Sequence, residues 1–296
     1  MKRLLLIIIF LTGLGCSEDV SKGRDVLKTG YIELKDSRLY YEEKGIGRPV
    51  IMIHGGFLDL RMWDQQFDLL AKKYRVIRYD VRGHGRSGGA DSTFIDHDDL
   101  HVLVHRLDID SAAVIGLSMG GQIAADFAIA HPKRVSALIL AGPGMSGYNT
   151  PKSEEGIQYI KEVSQALNDD NYDKASEIFV RSWAEGPFRE PSEIDPAVRE
   201  KIMSMISGSR TRWDIFNKAA VLDPPAIGRL DEIRCPVLAL AGDKDMPDIL
   251  ELVNLYKDSI PGARKVIIPG AAHLSNMEKP EEFNRIVMEF LESIRY

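Results

Sequence analysis

The segment SAAVIGLSMGG at residues 111–121 restricts this chain more than any other stretch. Ala112, Ala113, Val114 and Ile115 form a short uninterrupted apolar run, the pattern of a strand buried on both faces of a parallel sheet. Gly116-Leu117-Ser118-Met119-Gly120 follows without a spacer. A serine flanked by small residues two before and two after, where a strand passes into a helix, demands a strained backbone and close approach on either side. Residues 122–131, closed by Pro132, carry apolar side chains at helical spacing, so strand, turn and helix succeed one another. That context predicts Ser118 as a nucleophile exposed above the sheet; the competing reading is a serine that merely caps a helix.

Further apolar runs at 50–53, 74–79, 136–141, 236–241 and 265–268 predict more strands, with an antiparallel hairpin at 31–41 leading in. Helices are expected at about 60–72 and 93–107. The run at 50–53 ends in His54-Gly55-Gly56-Phe57. Glycines allow a backbone amide to approach a developing oxyanion, so Gly56 is the first expected donor, with Phe57 as substitute, and Met119 is the second. His54 is expected to brace this loop. The loop Asp80-Val81-Arg82-Gly83-His84-Gly85-Arg86-Ser87 fits neither a P-loop nor a dinucleotide fingerprint and reads as a rigid turn.

The last two strands each exit into a loop with one candidate for proton handling. Gly242-Asp243-Lys244-Asp245 follows one, and Pro269-Gly270-Ala271-Ala272-His273 follows the other. A serine, an acid and a histidine in that order suit a base that activates the hydroxyl and a carboxylate that orients the base. Asp245, deeper in its loop, is preferred over Asp243, which sits where a turn role is simpler. His97, His101 and His105 recur every four residues on one helix and could hold a metal, but one straight helix wraps an ion poorly, so a solvated stripe is expected and no metal is assigned. Cys235, before Pro236, reads as a packing thiol.

Between about 145 and 230 no strong apolar strand occurs. Helical stretches at 153–167, 172–183, 197–205 and 212–222, separated by Gly/Pro breaks, predict an inserted helical cap. The core is then 29–144 and 231–296. With 296 residues and a formal charge of −6 there is ample chain for a large core and no basic surface for nucleic acid, while two cysteines exclude a disulfide framework.

The amino terminus stands apart. Lys2 and Arg3 precede an apolar run at 4–11 that is too short to span a bilayer but suits a signal-peptide core. Gly13-Leu14-Gly15-Cys16 then resembles the processing site of bacterial lipoproteins. This implies a signal peptide at 1–15, lipid-modified Cys16, a polar tether at 16–28 and a membrane-anchored place in the cell envelope. Ordinary secretory cleavage near Gly15 and an uncleaved anchor are the alternatives.

Taken together, the strand order, Gly116 to Gly121, Gly242-Asp243-Lys244-Asp245 and the late His273 resemble the alpha/beta-hydrolase superfamily from about residue 29 to 296. Arg61-Met62-Trp63-Asp64, the 78–85 loop and Ala272-His273-Leu274-Ser275-Asn276-Met277-Glu278 are most similar to 3-oxoadipate enol-lactonases and related esterases. The resemblance implies an α/β fold with a mostly parallel central sheet, helices on both faces and a helical cap. It also implies a serine hydrolase of small esters or lactones that needs no cofactor. Carbon–carbon bond hydrolysis, aminopeptidase action and perhydrolysis share the same triad, and a non-catalytic ligand-binding protein shares the fold.

Overall fold

A computed structural model describes residues 26–148, 150–206 and 218–294. The expected signal segment, Cys16 and all but the last residues of the tether lie outside them. Strands β1 (Lys28–Glu33) and β2 (Arg38–Lys44) form the expected antiparallel hairpin, followed by β3 (Pro49–Ile53) and β4 (Arg75–Tyr79). After β5 (Phe94–Ile95) come β6 (Ala112–Leu117), β7 (Val135–Ala141), β8 (Ala219–Ala220), β9 (Val237–Gly242) and β10 (Arg264–Ile268). Eight of these make one sheet in the order β1-β2-β4-β3-β6-β7-β9-β10, antiparallel through β2 and parallel from β4 onward. All six residues of β6 and of β9 are buried, because a central parallel strand is covered on both faces. Val114 and Ile115 therefore drive assembly through the area they remove from water rather than through alternation.

Helices cover the sheet: α1 (Asp64–Leu70), α2 (Asp96–Arg106) and α3 (Met119–Ala130), then α4 (Glu154–Asn168), α5 (Tyr172–Phe179) and α6 (Pro196–Ile206) between β7 and β9. Helices α7 (Pro247–Ser259), α8 (Ser275–Glu278) and α9 (Pro280–Ser293) complete the chain. None of the described helices is long and apolar enough to cross a membrane.

Three expectations change. The helix expected at 60–72 is a 3-10 turn, Leu60–Trp63, capped by Asp59, before α1 begins. The helix expected from 93 starts only at Asp96, since Phe94 and Ile95 pair with Ala219 and Ala220. That pairing also replaces the end of the helix expected at 212–222, whose first part lies outside the described residues. A two-residue strand has too little periodicity to be read from sequence, and its partner is more than a hundred residues away.

The strand order places the candidate chemistry. The chain leaves β3 toward β4 on one side and returns to β6 on the other, so the order reverses between β3 and β6. Loops at the carboxyl ends of two such strands diverge and leave a crevice. Residues 54–57 and Ser118 border it.

Candidate active site

Ser118 has φ 56° and ψ −117°, a conformation that a non-glycine residue holds only when its surroundings impose it. The cause is local and steric. A Cβ on Gly116 would lie 2.1 Å from the Gly120 carbonyl oxygen, and one on Gly120 would lie 2.3 Å from that of Ile53. The start of α3 therefore approaches both β6 and the end of β3 more closely than any side chain permits. Ser118 N donates to Ala141 O at 3.0 Å, and Gly144 N donates to Ser118 O at 2.9 Å, which pins the turn between β6 and β7. The hydroxyl makes no capping bond to α3, so the helix-cap alternative does not describe it.

Asp245 and His273 meet across the loops after β9 and β10. His273 Nδ1 lies 2.9 Å from Asp245 Oδ2 and 3.1 Å from Oδ1, with both residues buried. An Nδ1–H donated to the carboxylate leaves Nε2 as the acceptor. Asp243 instead accepts from Gly270 N at 2.6 Å and ties the two loops together. Gly142, at φ +47°, backs the pair: a Cβ there would lie 3.0 Å from His273 Nδ1 and 3.2 Å from Asp245 Oδ2. Among the described residues no hydrogen bond joins Ser118 Oγ to the imidazole, a link that often tightens only when substrate is bound.

The loop carrying His273 is held from several sides. Ala272 N donates to Glu278 Oε1 at 3.1 Å, and Glu278 pairs with Arg189 at 2.7 Å in a buried ion pair. Burial raises the Glu278 carboxyl above its ordinary value despite the guanidinium. Asn276 Nδ2 donates to Met62 O at 2.9 Å, joining this loop to the turn before α1. Trp183 contributes most directly: its carbonyl accepts from His273 N at 3.3 Å and its ring centroid lies 4.5 Å from the imidazole. It sits in a π-helical segment, Val180–Glu185, which continues α5. The sequence carries no signal for this contact beyond an aromatic at a helix end.

At the β3 side, His54 Nδ1 lies 2.8 Å from Gly55 O, and its Nε2 accepts from Val81 N at 2.9 Å, so the ring braces the loop. Phe57 N reaches His84 Nε2 at 3.4 Å. The amide of Gly56 donates to no group among the described residues. Met119 opens α3 and has no carbonyl one helical turn behind it. The Gly56 and Met119 amides are thus not consumed by the fold; Met119 follows Ser118 directly, and a Cβ on Gly55, the neighbour of Gly56, would lie 3.6 Å from Ser118 Cβ. The 80–87 loop is rigid as expected: Asp80 accepts from Leu60 N and Arg86 N, and Arg82 forks onto Asp99.

Ser118 and Met119 open into a cavity of about 370 Å³, lined mainly by Met145, Tyr159, Ile160, Trp183, Ile249 and Leu252. Two carboxylates reach its wall. Asp248 is tied to Tyr148 Oη, at 2.8 Å, and to Lys152 N. Asp96 is not: its Oδ1 is buried without a hydrogen-bond partner, and burial, helped by the negative charge of Asp99, pushes its carboxyl up to about 7. Asp96 was invisible in the sequence because a helix-start aspartate is ordinarily a surface feature.

The histidine stripe is corrected. His97 is buried, and the ring of His101 stacks on His131 at 4.1 Å, while His105 alone of the three is exposed. Burial lowers His97 and His131 below the ordinary imidazole value. The thiol of Cys235 is half-buried and pushed up to about 12, as a packing residue requires.

Residues 48–280 match the family described as alpha/beta hydrolase fold. Over 295 aligned residues, 93% of this chain and 99% of the relative, the sequence is 27% identical to a 2-hydroxy-6-oxononadienedioate/2-hydroxy-6-oxononatrienedioate hydrolase of Paraburkholderia xenovorans (strain LB400). A solved thermophilic esterase from Thermogutta terrifontis is similar with TM-score 0.74 and 27% identity, over 91% of this chain and 100% of that one. The enol-lactonase of Burkholderia xenovorans LB400 gives TM-score 0.75 at 24% identity over 89% of this chain and 100% of that one, a likeness of fold alone.

Proposed function

Because this chain belongs to the alpha/beta-hydrolase family and is a hydrolase, we propose that it cleaves a small uncharged carboxylic ester or lactone through an acyl-enzyme on Ser118. The observation that carries this reading is the buried His273–Asp245 pair, 2.9 Å apart, backed by Gly142 beside the strained Ser118 turn. Ser118 Oγ attacks the acyl carbon while His273 Nε2 takes its proton; Asp245 keeps the ring in the required tautomer and balances the imidazolium. The amides of Gly56 and Met119 receive the oxyanion, and each such donor is worth on the order of a hundredfold in rate. Collapse expels the alcohol, or opens the lactone, with the proton returned from His273. Water then repeats the sequence and releases the acid.

The cavity supports the substrate class. Its volume of about 370 Å³ lies at the small end for ligand pockets. Among the described residues its wall carries Asp96 and Asp248 but no Lys, Arg or His. A dianion of the kind named for the Paraburkholderia relative would find no cationic side chain among these residues to pair with, which is costly in an apolar site. Carbon–carbon hydrolysis is the second reading, favoured by that relative's coverage of nearly the whole chain. A panel of p-nitrophenyl esters of increasing chain length, several lactones and a dianionic dienoate separates the two. Turnover confined to the dienoate overturns the ester reading, and absence of a fluorophosphonate adduct at Ser118 overturns both.

We further propose that residues 145–230 form the lid over this cavity and that Cys16, after a signal peptide at 1–15, carries a lipid anchor. The support for the anchor is Lys2, Arg3, the apolar run at 4–11 and the small residues before Cys16. A Cys16→Ala chain that stays in the membrane fraction overturns it.

A further inference from the structure

We propose that His97, Asp98 and His131 form a binding site for one divalent transition-metal ion that fastens the end of α3 to the start of α2. His97 and Asp98 occupy the first turn of α2, and His131 closes α3; the two helices pack against each other. The three side chains bring His97 Nδ1 or its sister nitrogen, an Asp98 oxygen and a His131 nitrogen within 4.8 Å of one another. His97 Nδ1 and Asp98 Oδ1 are 3.4 Å apart. Two ligands of a tetrahedral ion at metal–ligand distances of about 2.0–2.1 Å stand about 3.3 Å apart, so one edge of the polyhedron already has its length.

The independent observation is a set of orphaned nitrogens. His97 Nδ1, His101 Nδ1 and His131 Nε2 are all buried without a hydrogen-bond partner. Buried polar atoms in folded proteins are nearly always satisfied, and three imidazoles in one corner that are not require an explanation. Bulk solvent does not reach His97, which is only 8% exposed. A cation bound through His97 Nδ1 and His131 Nε2 would supply it for both, while the His101 ring lies parallel to His131 within 8° and stacks on it. Two imidazoles and one carboxylate suit zinc, nickel or copper(II) rather than calcium or magnesium, which seek all-oxygen shells.

The site is structural rather than hydrolytic. Helix α3 runs twelve residues from Met119 to Ala130, so at about 1.5 Å per residue its far end lies about 18 Å from the serine turn. An ion there cannot touch an acyl group at Ser118. It clamps the helix whose first residue presents an oxyanion amide.

The test uses the chain stripped with a chelator, then titrated with Zn²⁺ by calorimetry and with Co²⁺ by visible absorption. One ion per chain is expected, with the intense absorption of low-symmetry tetrahedral cobalt and a rise in melting temperature on saturation. His131→Gln and Asp98→Asn should each weaken binding by at least about tenfold. Asp98 has an exposed side chain, so its replacement keeps the fold even if the histidine variant does not. His105→Ala, on the same helix but exposed, should bind as the parent does. Lack of saturable binding in the parent, or equal binding in Asp98→Asn, overturns the proposal and leaves the imidazoles as a packing cluster. Ester hydrolysis is measured in parallel, and its outcome bears on Ser118 rather than on this site.

Discussion

Replacing Gly142 by alanine perturbs the proposed chemistry without removing any reacting atom. The residue sits at φ +47°, where a Cβ costs about 1–2 kcal/mol of backbone strain. That Cβ would also stand 3.0 Å from His273 Nδ1, 3.1 Å from its Cε1 and 3.2 Å from Asp245 Oδ2. Each contact is several tenths of an ångström too short, so the imidazole and the carboxylate must give way together. A displacement of about 1 Å at a reacting group costs about a hundredfold, which puts a shift of a few tenths at about tenfold, or about 1.4 kcal/mol of barrier. Gly262→Ala is the matched control: φ is +77° and nothing lies within 4 Å of the new methyl. Both variants should lose stability, by about 2–5 °C in melting temperature for a chain of this size. Only Gly142→Ala should lose kcat on a p-nitrophenyl ester, with KM little changed. If the two lose the same stability while Gly142→Ala keeps the parent kcat, the His273–Asp245 geometry does not control the reaction and the assignment of both residues fails.

Other expectations follow from the same contacts. Ser118→Gly should abolish turnover by at least about a thousandfold, yet gain about 1 kcal/mol in denaturant unfolding, because glycine adopts φ 56° without strain; a destabilised variant refutes the strain. Asp245→Asn should cut kcat by about 10⁴-fold with the fold intact, since an amide supports the wrong imidazole tautomer, and near-parent activity would return the acid role to Asp243. Asp96 is raised by burial from 3.8 to about 7, so the folded state binds the extra proton. Its contribution to stability is therefore greatest below about pH 4 and declines as pH rises toward 7. Asp96→Asn should flatten that decline and leave the protein more stable than its parent at pH 8, as read by melting temperature across pH; an unchanged slope refutes the buried, unpartnered carboxyl.

What the sequence settled is local. Gly116 and Gly120 are four residues apart, and the clash that forbids a side chain at Gly116, with the Gly120 carbonyl, arises within one strand-turn-helix unit, whereas the one at Gly120 is with the Ile53 carbonyl of β3. The fold of that unit, the serine at its apex and the parallel strands on either side are therefore legible from neighbouring residues and hydrophobic runs alone. The order of β9, Asp245, β10 and His273 is legible too, because each loop follows its own strand. Only the tertiary structure decided which aspartate of the loop after β9 faces the imidazole: Asp245 turns inward to His273, while Asp243, two residues earlier, turns to Gly270. It also brought Trp183 onto the His273 ring, His131 into the company of His97 and His101, and Asp96 into the cavity wall. These contacts join residues tens of positions apart, and they depend on how loops bend and helices cross. No periodicity or turn propensity encodes such reach, since it is set by the packing of the whole chain.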